Sequence, residues 1–277
     1  MDRLLIAGFG DIARRARPAL ERRFHIVRLS RQDGLDLDRP ATLAFDPVDA
    51  VLHCVPPPAT GEYDTRTANL LRAIEATGSA PTRFVYISTS GVYGDCGGAL
   101  VDEARALNPQ TGRARRRVDA ERQLERWCAE RGIALVMLRA PGIYAADRLP
   151  IERLRAGTPV LRGQDDVYTN HIHADDLAAA AVRALEQDAP SGVYNVADDS
   201  AMRMGDWMDL LAERAGLPRP PRVPRSHIAQ HVSPEVLSFM NESRRLDNQR
   251  MKTVLGLRLR YPTVHEGLAH GHLVGLD

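Results

Sequence analysis

The 277-residue sequence predicts an α/β fold, a doubly wound parallel sheet with a smaller, mostly helical lobe toward the C-terminus. Three observations point there. Short apolar runs alternate with segments of helical spacing, a glycine-rich turn interrupts the first of these runs, and the alternation gives way beyond Tyr144 to stretches that read mainly as helix.

The turn organises the rest. Leu4 to Ala7 is an apolar run that passes through Gly8-Phe9-Gly10-Asp11-Ile12-Ala13 into a helical pattern ending near Arg22. Strand, tight turn and helix N-terminus in that order are what a dinucleotide-binding βαβ unit needs. Gly8 permits the turn, Gly10 lets backbone approach a pyrophosphate, and Ala13 is small enough for helix to pack on strand. The free N–H groups and positive dipole end of the helix favour an anion. Gly8, Phe9, Gly10, Asp11 and Ile12 are therefore candidate cofactor contacts.

His25 to Leu29 reads as the second strand and ends in Ser30-Arg31, with no acid at the strand end to hold a ribose 2′-hydroxyl. A guanidinium suits a 2′-phosphate, so Ser30 and Arg31 point to NADP, while Asp33 nearby leaves NAD open. Leu35 to Phe45 has room for a reduced third strand and a helical turn. Asp49 to Val55 is a clearer buried strand, ended by Pro56-Pro57-Pro58, and its carboxyl end brings Val55 and Pro56 to the border of the dinucleotide crevice. Thr65 to Ala76 has helical spacing, and Arg83 to Ser88 is the next strand.

Composition narrows the function classes. A net charge of +1 gives no electrostatic case for nucleic acid or a membrane surface. No apolar run approaches the roughly 20 residues of a membrane span, and the N-terminus lacks a signal-peptide pattern, so a cytoplasmic protein is expected. Cys54, Cys96 and Cys128 have neither metal spacing nor an even count, which predicts free thiols and no metal site. Lys252 is the only lysine, so chemistry that needs a lysine amine has one source.

Beyond residue 86 the motifs become specific. Ile87-Ser88-Thr89-Ser90-Gly91-Val92-Tyr93-Gly94 is followed by Val101-Asp102-Glu103, Leu138-Arg139-Ala140-Pro141-Gly142-Ile143-Tyr144, His171-Ile172-His173-Ala174-Asp175-Asp176-Leu177-Ala178 and Val193-Tyr194-Asn195-Val196. With the opening glycines, these resemble the extended short-chain dehydrogenase/reductases of the epimerase/dehydratase group. The tail, Leu255-Gly256-Leu257, Tyr261-Pro262 and Glu266-Gly267-Leu268, is similar to the ending of that group's atypical branch. The resemblance implies a Rossmann-type NAD(P)-binding domain over residues 1–148, completed by about 165–200, and a substrate lobe from 149–164 and 201–277. It also implies a small carbonyl or sugar-like substrate, a monomer or homodimer, and a Pro141 to Tyr144 loop lying against nicotinamide and substrate.

The group's chemistry uses a Ser or Thr and a Tyr tuned by a nearby Lys. Thr89 sits where the Ser or Thr belongs, but the resemblance puts Arg113 at the Tyr position and Arg117 at the Lys position. Arg117 can still hydrogen-bond nicotinamide ribose hydroxyls. Arg113 cannot act as acid or base, because a guanidinium keeps its proton. Substitute proton donors are Tyr144 first, then Tyr93, His53 and Cys96, all near predicted strand ends. The Arg113 to Arg117 cluster reads either as an anion clamp or as a solvated helix face with Glu121, Glu125 and Glu130 as partners.

Farther on, Leu149 to Gly163, Met202 to Gly216 and Val236 to Leu257 read as mostly helical, with the four prolines of Pro218 to Pro224 marking a loop. Trp207, Met208 and Leu211 have the spacing of a lobe core, and Asp175-Asp176 that of a helix start with His171 and His173 structural. Two functions fit the whole pattern. One is an NAD(P)-dependent oxidoreductase or epimerase with a noncanonical proton donor, and the other a noncatalytic NADP(H)-binding sensor or regulatory protein.

Overall fold

Leu4, Leu5, Ile6 and Ala7 are fully buried, and a strand apolar on both faces belongs inside a sheet covered on both sides. The computed structural model describes residues 1–269 and bears this out. β1 (Asp2–Ala7) leads through Gly8 to α1 (Asp11–Leu20), then come β2 (Phe24–Leu29), β3 (Ala50–His53), α2 (Thr65–Ala76) and β4 (Arg83–Thr89). A short β5 (Leu100–Val101) precedes α3 (Gly112–Arg131), β6 (Ala134–Ala140) and β7 (Gly142–Tyr144). Next are α4 (Ile151–Arg155), β8 (Val160–Leu161), β9 (Tyr168–Thr169), β10 (His171–His173), α5 (Ala174–Ala184) and β11 (Gly192–Asn195). The rest is β12 (Met202–Arg203), α6 (Met204–Ala215), β13 (Arg222–Val223), α7 (Arg225–Ile228), α8 (Pro234–Met240), β14 (Arg245–Leu246), α9 (Gln249–Thr253) and α10 (Val264–Ala269).

The main sheet has six parallel strands in the order β11-β6-β4-β3-β1-β2. Alternation along β1 divides the core. Leu4 and Ile6 join the layer with α1 and α5, while Leu5 and Ala7 join the layer with α2 and α3. α5 packs closely because its buried face is built from Ala174, Ala178, Ala181 and Ala184 around Leu177. This is the doubly wound Rossmann arrangement, with the chain leaving β1 to opposite sides for β2 and β3. A separate cluster joins Tyr144, Ile151, Leu154, Val160, Trp207, Met208, Leu211 and Val264, so Trp207, Met208 and Leu211 do form a core.

Four local expectations are corrected. Leu35 to Phe45 contains a helical turn at Pro40–Thr42 but no strand, because the Asp36 side chain takes the Asp38 N–H and Pro40 has none to give. Val236 to Leu257 is not mainly helix: the chain leaves α8 at Met240, and β14 pairs in parallel with β5. The proline segment holds β13, which pairs with β8 at Arg222 and Val223, the positions between prolines that keep their N–H groups. Finally, Glu121 is not a partner of the Arg113 to Arg117 face. Its carboxylate is buried against Arg139 of β6, at 2.7 Å from Nη2 and 3.1 Å from Nε. Glu130 bonds Arg131 instead, and Arg116 donates to the carbonyls of Ala59 and Gly61.

That buried pair joins several elements. Ser88 at the end of β4 donates to Glu121 at 2.6 Å, and Arg139 donates to the Tyr93 hydroxyl, which donates to Asn195 at 2.8 Å. Burial would disfavour the Arg139 charge, but Glu121 more than offsets it and holds the guanidinium pKa above its ordinary value. Removing one partner strands the other charge away from water. Glu121→Ala is therefore expected to lower unfolding free energy by about 3 to 5 kcal/mol, measured by urea denaturation. A loss under about 1 kcal/mol would show that Arg139 finds another partner.

Candidate active site

The first cavity, about 580 Å³, lies over the carboxyl ends of β1 and β3, where the strand order reverses. Its wall contains every sequence-predicted cofactor contact: Gly8 to Ile12, Ser30, Arg31, Val55, Pro56, Arg117 and Pro141. Gly8 has φ +88°, and a Cβ there would lie 2.7 Å from Val55 Cγ2 and 3.0 Å from the Val55 nitrogen. Only glycine suits that position. Gly10 is the N-cap of α1, and an added Cβ there would meet nothing within 4 Å, as expected of backbone facing open space.

Charges at the two ends of this cavity differ. At the glycine turn, Asp11 accepts from Arg15 at 3.0 Å and Arg148 at 2.7 Å; burial opposes its ionisation, but the two guanidiniums hold its carboxyl below the ordinary range. At the far end Asp38 is held by Arg66 through contacts of 2.6 and 2.8 Å. Arg31 lines this end, and among the described residues its guanidinium has no hydrogen-bond partner. Asp33 does not line the cavity; its carboxylate takes Arg28 and the Ser30 hydroxyl. Arg15 is similarly turned away, onto Asp11, Asp147 and Asp175.

A second cavity of about 450 Å³ shares Thr89, Arg117, Pro141, Ile143 and Arg148 with the first. Thr89 thus stands at the junction. Its Oγ1 accepts from the Gly91 N–H at 3.2 Å, which leaves the hydroxyl hydrogen available. Arg117 reaches the junction from α3 and donates to the Tyr86 hydroxyl and the Ile87 carbonyl, both at 2.9 Å. Arg113, one turn earlier, faces the second cavity alone and stacks 4.3 Å from the centre of the Phe239 ring.

The candidate proton donors separate. Tyr93, His53 and Cys96 line neither cavity. Tyr93 belongs to the Arg139 network; His53 is buried against Thr67, and burial followed by the Arg117 charge pushes its pKa down to about 3. Tyr144 does line the second cavity, but its hydroxyl donates to the Thr263 carbonyl at 3.3 Å. A Cβ at Gly267 would fall 2.1 Å from that oxygen, so the hydroxyl is pressed into α10. Burial, with the Asp198 charge adding to it, raises the Tyr144 pKa. Tyr144 offers the cavity a ring rather than a proton.

Residues 11–197 match the NAD dependent epimerase/dehydratase family. The chain belongs to this family. A 3-diazoavenalumate denitrifying reductase from a Streptomyces species is 31% identical over 216 residues, covering 73% of this chain and 68% of that protein. A GDP-6-deoxy-D-mannose reductase from Pseudomonas aeruginosa is 28% identical over 54% of each chain, so the match spans about half of that relative. Among solved structures, a functionally unknown conserved protein from Silicibacter pomeroyi superposes with a TM-score of 0.79 at 31% identity over 97% of both chains. RMD from Pseudomonas aeruginosa, complexed with NADPH, gives 0.73 at 21% over 97% of both, a likeness of fold. Membership of the epimerase/dehydratase family brings a nicotinamide dinucleotide as the class of cofactor. No helix among the described residues is long and apolar enough to cross a membrane.

Two wall residues of this epimerase/dehydratase family member had no signal in the sequence: Arg148 ties the loop after β7 to Asp11, and Arg153 lines the second cavity. His171, which the sequence marks as structural, lines that cavity too. His171 is neutral because burial drives its pKa down to about 3. His173 caps α5 by accepting the Asp175 N–H, and Asp176 accepts from the backbone of Arg260 and Tyr261, so this motif binds the C-terminal segment in place. Among the described residues no group of three His, Cys, Asp or Glu side chains is arranged to hold a metal.

Behind Tyr144 and His171 lies Asp198, whose N–H donates to the His171 carbonyl and whose Oδ2 is buried without a partner. Burial, reinforced by Asp199 and Asp176, pushes its carboxyl up to about 8, from 3.8 in an unstructured chain. The folded state therefore holds a proton that the unfolded state releases between these values, and stability should fall as pH rises from about 4 to about 8. Asp198→Asn should flatten that slope and be more stable than wild type at pH 8, with the difference closing toward pH 4 in urea titrations. Parallel pH profiles for the two proteins would contradict a neutral Asp198.

Proposed function

We propose that the protein is an NADPH-dependent reductase of a small carbonyl or sugar-like compound. The observation that carries this is the pair of adjoining cavities, one lined by the glycine turn and the other by Thr89 and the C-terminal segments, with Thr89 and Arg117 at their junction. The first cavity fits the cofactor on its own geometry. The left-handed Gly8 and the open N-cap at Gly10 form a cradle for a pyrophosphate, and among the described residues Arg31 at the ribose end has no hydrogen-bond partner and feels only the charge of Asp38, which Arg66 already holds. Residues 149–164 and 201–269 serve as the substrate lobe, the last residues of the expected lobe, 270–277, lying outside those described. The names of both curated relatives, each a reductase, favour reduction over epimerisation.

Bound NADPH supplies hydride. The Thr89 hydroxyl donates to the substrate oxygen and the Arg117 guanidinium stabilises negative charge developing there, the role that preorganised donors play at other oxyanions. Arg113 neither gives nor takes a proton, and with Tyr144 bonded to Thr263, the proton is drawn from water in the open cavity. A second reading, a noncatalytic NADP(H)-binding sensor, is favoured by one observation: neither cavity holds a Tyr and Lys pair. The two readings part on whether NADPH is consumed. Oxidation of NADPH with any member of a broad carbonyl panel, weakened at least tenfold in Thr89→Val, supports the reductase; a protein that binds NADPH but oxidises none is the sensor.

Cofactor choice gives a further expectation. NADPH should bind more tightly than NADH, and Arg31→Ala should remove most of that gap. One charge-assisted phosphate contact is worth about 1.5 to 3 kcal/mol, or roughly tenfold to a hundredfold in Kd. Calorimetric titration with both cofactors checks this, and equal wild-type affinities would reject the 2′-phosphate contact.

A further inference from the structure

The second cavity contains more positive charge than the protein around it neutralises. Among the described residues five arginines line it, with Glu242 the one acid. Arg244 is held by Glu242 at 2.8 Å and Arg148 by Asp11 at 2.7 Å. The other three are differently placed. Arg113 reaches Glu235 only at 3.4 Å, through a carboxylate that is 76% exposed and hence well screened. Arg117 donates to two uncharged oxygens. Arg153, on α4, makes no side-chain hydrogen bond or ion pair among the described residues, and its Nε and Nη2 are closed to water without a partner.

An unpaired guanidinium in such a setting is costly, and an incoming anion would relieve it. The orphaned atoms also specify the shape of that anion. Nε and Nη2 form the edge of the guanidinium that presents two parallel N–H groups, the fork that a carboxylate matches with its two oxygens. Because the edge is shut, pairing requires the Arg153 side chain to turn into the cavity it lines. Beside the polar residues, the wall has an apolar and aromatic part made by Trp207, Met208, Phe239, Ile143 and the ring of Tyr144. Trp207 shares its cluster with Ile151 and Leu154, which flank Arg153 on α4, so the charged and aromatic parts of the wall adjoin. Among the described residues a cationic ligand would find no uncommitted carboxylate here.

We propose that this cavity takes a small carboxylate with a planar apolar body, its carboxylate paired with Arg153 and its flat face against Trp207. Arg113 and Arg117 add to the attracting field from α3. The inference rests on the reading of the second cavity as the substrate site, and it names the class of compound bound there.

The test is binding, measured on the full chain by calorimetry with cinnamate, its neutral isostere cinnamamide, and uridine diphosphate as probes; NADPH is titrated separately. Cinnamate should bind at least about tenfold more tightly than cinnamamide, the gap expected for one charge-assisted pair. Arg153→Gln should remove most of that preference, leaving what Arg113 and Arg117 supply, while NADPH affinity stays within about twofold, since Arg153 is not part of the first cavity. Arg153→Lys, which keeps charge but not the fork, should retain part of the preference and provides the reading if the Gln variant does not fold. Equal binding of acid and amide, a preference unchanged in both variants, or tighter binding of uridine diphosphate than cinnamate would each overturn the proposal. Wild type that binds cinnamate but not NADPH would support it while refuting the nicotinamide reading; wild type that binds NADPH but not cinnamate would do the reverse.

Discussion

The close approach of the turn after β1 to the end of β3 is the constraint on which the site depends. Gly8 lies so near Val55 that one methyl group would collide with both its side chain and its backbone. With no Cβ at Gly8, β1 can pass into α1 while β3 stays hydrogen-bonded beside it, through the Cys54 N–H to the Ala7 carbonyl. The crevice opens above this junction because the chain departs from β1 in opposite directions. The first cavity follows from that topology and the second from what is packed against its edge.

The side of the site away from the glycine turn is stiffened by a polar network inside the fold. Ser88, Glu121, Arg139, Tyr93 and Asn195 link the ends of β4, β6 and β11 to α3. Thr89 follows Ser88 directly, and Arg117 lies one helical turn before Glu121, so both junction residues are mounted on a fixed frame. The frame is independent of the residues at 113 and 117. The residues at 113 and 117 can thus vary, and with them the chemistry they bring, while the geometry around the junction is kept.

The parts of the fold that are local in sequence were legible. The glycine turn, the buried strands and the helix from Thr65 to Ala76 each carry their signal within a dozen residues, and all the predicted cofactor contacts line one cavity. The second cavity was less so, because its wall is drawn from residues between Thr89 and Arg244 with no shared pattern. Glu121 shows the difficulty well. Its distance of four residues from Arg117 suggests an intrahelical pair, yet its partner lies on β6, and only the oddity of an arginine within an apolar strand hints at that. Tyr144 lines the second cavity, but the direction of its hydroxyl depends on a segment more than a hundred residues farther along, which no local pattern reveals.

That last contact sets an order on how the molecule can be completed. The strands around the glycine turn come from the first part of the chain and can pair as soon as they leave the ribosome. The ring of Tyr144 has no settled backing until Thr263 and Gly267 are made, since these supply its hydrogen-bond acceptor and the hollow into which it fits. A nascent chain can therefore possess a finished dinucleotide crevice well before the neighbouring pocket has its wall. Arrival of residues 263 to 267, rather than assembly of the sheet, is the event that gives the pocket its final shape.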